Sequence, residues 1–569
     1  IKKTVNSLKE NNINVNLKGL PLDDPKTFEL LCSGETMGVF QLESAGMREV
    51  LKQMKPNKFE DIIALVALFR PGPMQNISKY NNCKHGIEKP DYLHPKIEHI
   101  LKETYGVIIY QEQVMQIAQS LSGFSAGKAD ILRKAMGKKK SAEMERQKKD
   151  FIEGAVKNGI TKDQAVYIFQ LVEKFAQYGF NKSHAAAYAL IAYQTAYLKT
   201  HYPFYFIAAS MNLDLANTDK LNEYYEELKR LKIDVVLPSI NESFADFVVK
   251  ENKVYYALAA IKAVGYESIN QIITERKKNG PFKSLEDFIL RIDSKLINKL
   301  QMEGLIKSGT FDCLESNRKF LFDAVPEIIK ISKNYKEANL LQDSLFGNDK
   351  NSKIPSLENF VNKKELWNQN EKMKNEFESI GFFISEHPLL NYEKVLKTYN
   401  VKKFSDISDN DLNKEFVLSG TLMAVQEKKT AKGQPFAIIK LSDLSRMYEL
   451  FIFSEILLAN RDKMLPGNSF LINIVKEKMT NGTTRLTVRK LTEINSIKEA
   501  KINNAEIIIK NLESIDELKK ILKDGGETKV LIRMNSKDKN YVFNLKTNKL
   551  IDASIVSVLN SSGFECKIH

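Results

Sequence analysis

What the chain has least of narrows its class. One tryptophan and four cysteines occur in 569 residues, and Cys32, Cys83, Cys313 and Cys566 stand far apart with no Cys-x-x-Cys pair. His85 lies near Cys83, yet no second cysteine completes a zinc pattern, so the thiols read as reduced groups of a cytoplasmic protein. Long apolar runs are missing as well. The most apolar stretch, Ala185 to Leu198, is interrupted by Gln194 and Thr195 and falls short of the roughly 20 residues that a bilayer demands, so no membrane span is expected. A phosphate-cradling Gly-Lys-Ser/Thr loop and a nucleophilic-lysine motif are both absent, which argues against a helicase or ligase fragment. The first residues, Ile1-Lys2-Lys3-Thr4, offer neither an initiating Met nor the apolar core of a signal peptide, and predict a chain cut from something longer. No repeat of fixed period is visible.

What is there is a basic, ordinary globular composition: 43% hydrophobic residues, 85 Lys plus Arg against 71 Asp plus Glu, net charge +14. The length calls for about three to five domains, and the excess of cations favours a polyanionic partner over an acidic small molecule. Residues 27 to 205 show long apolar-periodic segments between Gly, Pro and Asn breaks, the pattern of a mainly helical domain. One helix is marked by Thr161 and Gln164 as a capping box before Ala165, Ile168, Phe169 and Val172. The next, Ser183 to Lys199, is apolar on nearly every side and is expected to be buried at the centre. Residues 206 to 330 read as shorter helices, with 266–277, 285–291 and 295–307 resembling paired helix-hairpin-helix units. A polar stretch from Tyr335 to about Lys374 reads as a linker. Beyond it the period changes to two: 416–425, 436–441, 449–453, 469–476 and 484–488 read as five strands of a small barrel. The tail, 500 to 569, reads strand, helix, strand, strand. The fold class is therefore multidomain α+β.

Three segments offer chemistry. Between Lys128 and Lys149 nine basic residues face three acidic ones, a local net of +6, and Arg133, Lys134, Lys138, Lys139 and Lys140 converge on one helix end. Such convergence suits a triphosphate or a DNA backbone, against the blander alternative of a solvated helix face. Tyr178-Gly179-Phe180-Asn181-Lys182-Ser183-His184 feeds straight into a helix N-terminus, whose free amides and positive dipole attract phosphate. There Lys182 adds charge, and Tyr178 and His184 offer rings for a base or sugar. The alternative is that Ser183 merely caps the helix. Third, Arg70 stands at a helix exit stopped by Pro71 and Pro73, which projects its guanidinium from a rigid turn.

At these segments a family resemblance emerges. GVFQLES (38–44), LVALFRPGPM (65–74), TYGVIIYQEQVMQIAQ (104–119), LRKAMGKKK (132–140) and YGFNKSHAAAYA (178–189) closely resemble the fingers of the bacterial replicative polymerases of the C family, the DNA polymerase III alpha subunits. The likeness continues through IKAVG (261–265), LIKSGTFD (305–312) and IGFFISEHPL (380–389). It implies a mainly helical fingers domain at 1–205, with a remnant of the palm connection at 1–26. A helix-hairpin-helix domain follows at 206–340, then a linker at 341–375, a connector at 376–410, an OB-fold β-barrel at 411–497 and a small α/β C-terminal domain at 498–569.

The resemblance further implies template-directed 5'-to-3' DNA synthesis from dNTPs. Arg133, Lys134 and Lys138 would hold the triphosphate, Tyr178, Lys182, His184 and Arg70 would lie about the nucleotide, and His184 is a candidate for excluding a ribose 2'-hydroxyl. Lys134 stands where the family commonly shows a second arginine, keeping the charge but losing a bidentate fork. Lys139, Lys140, Lys262 and Gly265 would meet duplex DNA. The hairpin Ala263-Val264-Gly265 departs from the family's Gly-hydrophobic-Gly at its first position. Lys428 and Lys429, with Lys440, Phe436, Phe451 and Phe453, would meet single-stranded template, although alternation is expected to put some of those phenylalanines inside as core. Gln342, Leu345 and Phe346 match the short peptide that binds the beta sliding clamp. The tail would dock the clamp-loader tau subunit, and a proofreading exonuclease subunit would join through a missing N-terminal part. Catalysis needs two Mg2+ ions between carboxylates. Asp23-Asp24, the one adjacent Asp pair in the first domain, looks like turn chemistry, and the family's metal ligands precede the segment matching residue 1, so no catalytic or metal residue is assigned and this piece alone is expected to be inactive. The rival reading is a non-catalytic DNA-binding scaffold of helix-hairpin-helix and OB modules, which would bind primed DNA with indifference to the next dNTP.

Overall fold

The computed structural model describes every residue except 139–140, 177–178, 297, 343–356, 409–410, 431–432, 479–483, 498–503, 510–513, 536–539, 552–554, 556–558, 560–563 and 569. The chain divides into two compact units, one of residues 1–214, 227–235 and 247–254, the other of the remainder.

The first unit is helical, with α1 (Lys2–Glu10), α2 (Pro25–Ser33), α3 (Ala45–Met54), α4 (Phe59–Leu68), α5 (Ile77–Lys84), α6 (Glu98–Leu101), α7 (Gln111–Ser122), α8 (Ala126–Lys138), α9 (Ser141–Lys157), α10 (Lys162–Ala176), α11 (Lys182–His201) and α12 (Pro203–Met211). Two apolar cores sit inside it. The first gathers Phe28, Leu31, Leu51, Ile62, Leu65 and Tyr80 around the alanines 185, 189, 192 and 196 of α11. Those alanines let α11 lie close against α2 and α4, since a Cβ is the whole side chain. The second core gathers Leu121, Leu132, Phe151, Ile168 and Phe169 from α7 to α10. Gly154 of α9 is required there, because a Cβ would come 2.3 Å from the Ser122 carbonyl.

The expectation that α11 is buried all round is corrected. Ala185, Ala189, Ala192, Tyr193 and Ala196 are buried, but Leu190 and Ile191 remain 39% and 38% exposed, because the packing partners of α11 cover only one of its faces. Thr161 does begin α10, accepting the Gln164 amide at 3.4 Å. Asp24, read as turn chemistry, is the N-cap of α2, accepting from the Thr27 amide at 2.9 Å, with His201 Nε2 at 2.9 Å.

The second unit begins with most of α13 (Thr218–Arg230) and includes α14 (Tyr266–Asn279), α15 (Leu285–Arg291), α16 (Lys299–Lys307), α17 (Arg318–Asp323), α18 (Val325–Gln342) and α19 (Gln369–Ile380). The expected helix 295–307 starts only at Lys299, because Asn298 caps it by accepting the Gln301 amide at 2.9 Å. The polar stretch read as linker also ends early: Asn368 and Glu371 form a reciprocal capping box that starts α19.

Three short strands, β1 (Val235–Val236), β2 (Val248–Lys250) and β3 (Lys253–Tyr255), precede α14. The five expected strands are present as β4 (Glu415–Lys429), β5 (Pro435–Ser442), β6 (Met447–Phe453), β7 (Ser469–Lys478) and β8 (Thr484–Glu493). They form an antiparallel sheet in the order β6-β5-β4-β7-β8 around Leu418, Ile439, Leu450, Ile452 and Ile472. The expected barrel closure is corrected: among the described residues β6 and β8 share no ladder, and the two edges meet through side chains, with the Arg485 guanidinium 4.5 Å from the Phe453 ring. In the tail, β9 (Asn504–Ile509) and β10 (Lys523–Asn535) pair in parallel across α20 (Ser514–Ile521), the crossover geometry that parallel strands need. No helix among the described residues is long and apolar enough to cross a membrane.

Candidate functional site

The two cores of the first unit are stitched by a strand-like bridge, and the candidate site is built on it. Tyr110 and Phe180 pair in parallel: the Gln111 amide donates to the Phe180 carbonyl at 2.9 Å and the Phe180 amide to Ile109 at 3.1 Å. Gln113, buried in the first turn of α7, holds that segment straight by accepting the Ile109 and Tyr110 amides at 2.8 and 3.0 Å. Its own amide nitrogen reaches Ile100 and Thr104. Both polar atoms of the Gln113 side chain thus hold backbone, and its nitrogen also holds the Thr104 hydroxyl.

Arg133 leaves the exposed side of α8, whose other side buries Ala129, Leu132 and Ala135. Its Nε and Nη2 donate to Asp130 Oδ1 at 2.9 and 2.8 Å, and its Nη1 to Gln111 Oε1 at 3.2 Å. Gln111 in turn donates to the Gly179 carbonyl at 3.1 Å. One glutamine therefore ties the cationic helix to the loop ahead of α11. Lys134, more exposed, meets the other oxygen of Asp130 at 2.7 Å. Together the Lys134 ammonium and the Arg133 guanidinium hold the Asp130 carboxyl below its usual range.

The N-terminus of α11 differs from its expected state of free amides. Asn181 is the cap, accepting from the His184 amide at 2.8 Å, so Ser183 is not. The Lys182 amide donates to both oxygens of Glu112 at 3.1 and 2.9 Å, while the Lys182 ammonium meets Glu103 at 2.7 Å. The dipole and the lysine thus both face carboxylates of the same chain. A polar cavity of about 270 Å³ opens there, lined among others by Glu103, Tyr110, Glu112 and Lys182. His184 is exposed, 5.4 Å from the Phe180 ring and 4.5 Å from Tyr188. Arg70 lies with its guanidinium 4.3 Å from the same Phe180 ring and its Nε on the Ala67 carbonyl at 2.9 Å.

Arg133, Lys134, Lys182, His184 and Arg70 are therefore gathered about Gln111 and Phe180. Lys138 ends α8, and the side chain of Lys138, together with Lys139, Lys140 and Tyr178, lies outside the described residues. Gln111, Phe180 and the carboxylates Glu103, Glu112 and Asp130 were not anticipated. All but Asp130 and Glu103 stand inside the motif runs quoted above, so their presence was legible while their pairings were not.

In the second unit, the hairpin ahead of α14 is held from two sides. The Lys262 amide donates to the Ser379 carbonyl at 2.9 Å, and Gly304 of α16 sits so close that a Cβ would come 2.8 Å from the Lys262 carbonyl. Lys262 is exposed and Gly265 is the N-cap residue of α14. Ala263 adopts a left-handed φ of 64°, a conformation that costs an L-residue roughly 1–2 kcal/mol and that glycine enters freely. After subtracting glycine's greater unfolded-state freedom, Ala263→Gly is expected to stabilise this unit by about 0.5–1 kcal/mol, read as a higher denaturation midpoint in urea. An unchanged or lower midpoint would show that the hairpin carries no strain.

On the five-stranded sheet, Phe451 and Phe453 are 44% and 40% exposed while Leu450 and Ile452 between them are buried. None of the three phenylalanines put forward belongs to the core. Phe436 faces Phe453 across the β5–β6 ladder and Lys428 across the β4–β5 ladder, and both Lys428 and Lys429 are exposed. Lys440 differs, being paired with Asp219 at 2.8 Å. Gln342 is the last residue of α18, and its side chain, Leu345 and Phe346 lie outside the described residues. Among the described residues no group of three or more His, Cys, Asp or Glu is placed to hold a metal ion, and Asp24 is engaged as a cap. The carboxylates of the described residues do not fit a two-metal centre.

Residues 1–159 match the model of the bacterial DNA polymerase III alpha subunit finger domain, and residues 232–321 match a helix-hairpin-helix motif. DNA polymerase III subunit alpha of Borreliella burgdorferi is 40% identical over 574 residues, covering 98% of this chain and 49% of the relative. The chain belongs to the DNA polymerase III alpha subunit family. The alpha subunit of Caulobacter vibrioides is 43% identical over 486 residues, covering 85% of the chain and 42% of the relative, and that of Rickettsia bellii is 39% identical over 544 residues, 90% and 46%. The chain spans about half the length of the curated relatives it matches. The two matched regions contain most of the residues that the alpha-subunit motifs single out in the fingers and the hairpin, although the α11 run and the sheet lie beyond both.

Proposed function

We propose that this chain supplies the nucleotide- and DNA-gripping part of a replicative DNA-directed DNA polymerase. In this reading Arg133 and Lys134 hold the triphosphate of an incoming dNTP, and His184 lies beside its sugar. The single observation that carries it is the Gln111 link, which draws the cations of α8 and the loop at 179–184 into one surface rather than two. Asp130 and Glu112 occupy the phosphate-suited positions as internal carboxylates, keeping the cations oriented until a more highly charged ligand displaces them.

In the second unit the hairpin at Lys262 and Gly265 would meet duplex phosphates without reading sequence, and in the first unit Lys139 and Lys140 would meet duplex DNA as well. The face bearing Lys428, Lys429, Phe436, Phe451, Phe453 and Arg485 has the interleaved aromatics and cations that suit single-stranded template. Gln342, Leu345 and Phe346 would engage the beta sliding clamp, and the tail would dock the clamp-loader tau subunit. The Mg2+ ions, the proofreading exonuclease subunit and a cytoplasmic setting belong to the same reading of the whole polymerase.

Filter binding of primed DNA with and without the next correct dNTP tests the core of this proposal. The polymerase is expected to hold primed DNA more tightly when the correct dNTP is present, and indifference to the nucleotide would favour a scaffold instead. For the clamp peptide, Leu345→Ala with Phe346→Ala is expected to lower clamp affinity at least about 10-fold by emptying an apolar pocket. Undiminished clamp pull-down by the double variant would remove that part of the proposal.

A further inference from the structure

A stripe of rings leads away from the cationic end of the site, and its far end is held with unusual firmness. His184, Ala187, Tyr188 and Ile191 share one face of α11 by their spacing, and none of the four is buried. The Tyr188 ring lies 4.5 Å from His184 on one side and 5.6 Å from Phe40 on the other. Phe40 is 37% exposed, although it belongs to a loop fixed from every direction. Lys199, 2% exposed, reaches through the core to donate to the Glu35 and Met37 carbonyls at 2.7 and 2.9 Å. The Phe40 amide donates to buried Thr195 Oγ1 at 3.1 Å, Glu43 accepts the Gly38 amide at 3.1 Å, and Gln41 is held at a φ of 63°.

A left-handed non-glycine residue costs stability, and a buried lysine does so unless its charge is met, as Glu227 meets that of Lys199 at 2.6 Å. The same lysine and Gln41 order a loop that leaves the Phe40 ring 37% exposed. Packing does not require that arrangement, whereas a rigid stacking surface does, because a base gains from a ring whose position is already set.

We infer that Phe40 and Tyr188 form the platform on which the base of the incoming nucleotide stacks. The inference rests on the reading of Arg133 and Lys134 as the triphosphate site. From there the order along the surface is cations, Phe180, His184, then Tyr188 and Phe40, the order phosphate, sugar, base of a nucleotide laid along it. Tyr188 and Ile191 lie one and two turns beyond His184, on the order of 6 and 10 Å along the axis, which matches the reach from a sugar to the far edge of its base.

The test is single-nucleotide insertion by the full-length polymerase carrying Phe40→Leu, Tyr188→Leu or both, with competition by a base-less deoxyribose 5'-triphosphate. Leucine keeps apolar bulk and removes the ring. The double variant is expected to raise KM for every dNTP about 10- to 100-fold, more for purines than for pyrimidines, while the inhibition constant of the base-less triphosphate stays within about twofold. Tyr188→Phe is expected to keep the parent KM. An unchanged dNTP KM in the double variant overturns the platform, and so does an equal loss for the base-less triphosphate, which would report a distorted site. Arg133→Ala separates this inference from the one beneath it: that change should weaken both ligands, and if it weakens neither, the phosphate reading fails whatever the platform variants do.

Discussion

Replacing Arg133 by alanine in the full polymerase is expected to raise KM for the next correct dNTP about 10- to 100-fold, the worth of a charge-assisted hydrogen bond to phosphate. The guanidinium already uses three nitrogens, two on Asp130 and one on Gln111, so it stands oriented before any ligand arrives and loses little freedom on binding. A phosphate must take the place of Asp130, and the net gain is the difference between two charge-assisted contacts. Two further variants check that picture. Asp130→Asn removes the competing charge but keeps the shape, and is expected to tighten dNTP binding at low salt, with the gain fading as salt rises. Arg133→Lys keeps the charge but cannot serve Asp130 and Gln111 together, and is expected to fall between the parent and the alanine variant. A KM unmoved by Arg133→Ala would take the triphosphate away from this helix.

Local signals in the sequence located the elements, and long-range pairings decided what those elements do. Thr161 could be read as a cap because its partner lies three residues away, and the period-two runs from Phe416 onward gave five strands because alternation is written in adjacent residues. The start of α11 was legible as a charged helix terminus, yet its amides were read as free. Glu112, which takes the Lys182 amide, and Glu103, which takes the Lys182 ammonium, lie 70 and 79 residues earlier, beyond anything spacing can reveal. The same limit explains α11 itself: an apolar helix all round says that some face is buried, not which, and only the positions of α2 and α4 settle that His184, Ala187, Tyr188 and Ile191 remain outside. Barrel closure failed for a related reason, since alternation fixes which side of a strand faces the core but not whether two edges share hydrogen bonds. At Ala263 the sequence showed a missing glycine, and only the backbone showed that alanine sits in a glycine's conformation.

Asp61→Ala is expected to be the most damaging single change to the stability of the first unit, by about 3–5 kcal/mol, the usual cost of leaving one member of a buried ion pair uncompensated. The Asp61 side chain is fully buried and that of Lys84 is 5% exposed, with the ammonium 2.6 Å from the carboxylate. The carboxylate also accepts from the Tyr80 hydroxyl at 2.9 Å and from the Asn57 amide at 3.1 Å. Removing it strands a lysine that also donates to Asn57 Oδ1 at 2.7 Å, and a tyrosine hydroxyl inside the first core. It also deletes a carboxylate from the first turn of α4, where the helix dipole favours one. For a unit of this size the loss corresponds to a fall of roughly 10 °C in its unfolding midpoint, followed by hydrogen exchange at α4 and α5 so that the second unit does not mask it. The partner change tells whether charge or packing is lost. Lys84→Met in the Asp61→Ala background removes the stranded ammonium and keeps an apolar stem, so it is expected to recover a substantial part of the loss. A double variant no more stable than Asp61→Ala alone would mean that the Tyr80 and Asn57 contacts, rather than the ion pair, hold α4 to α5.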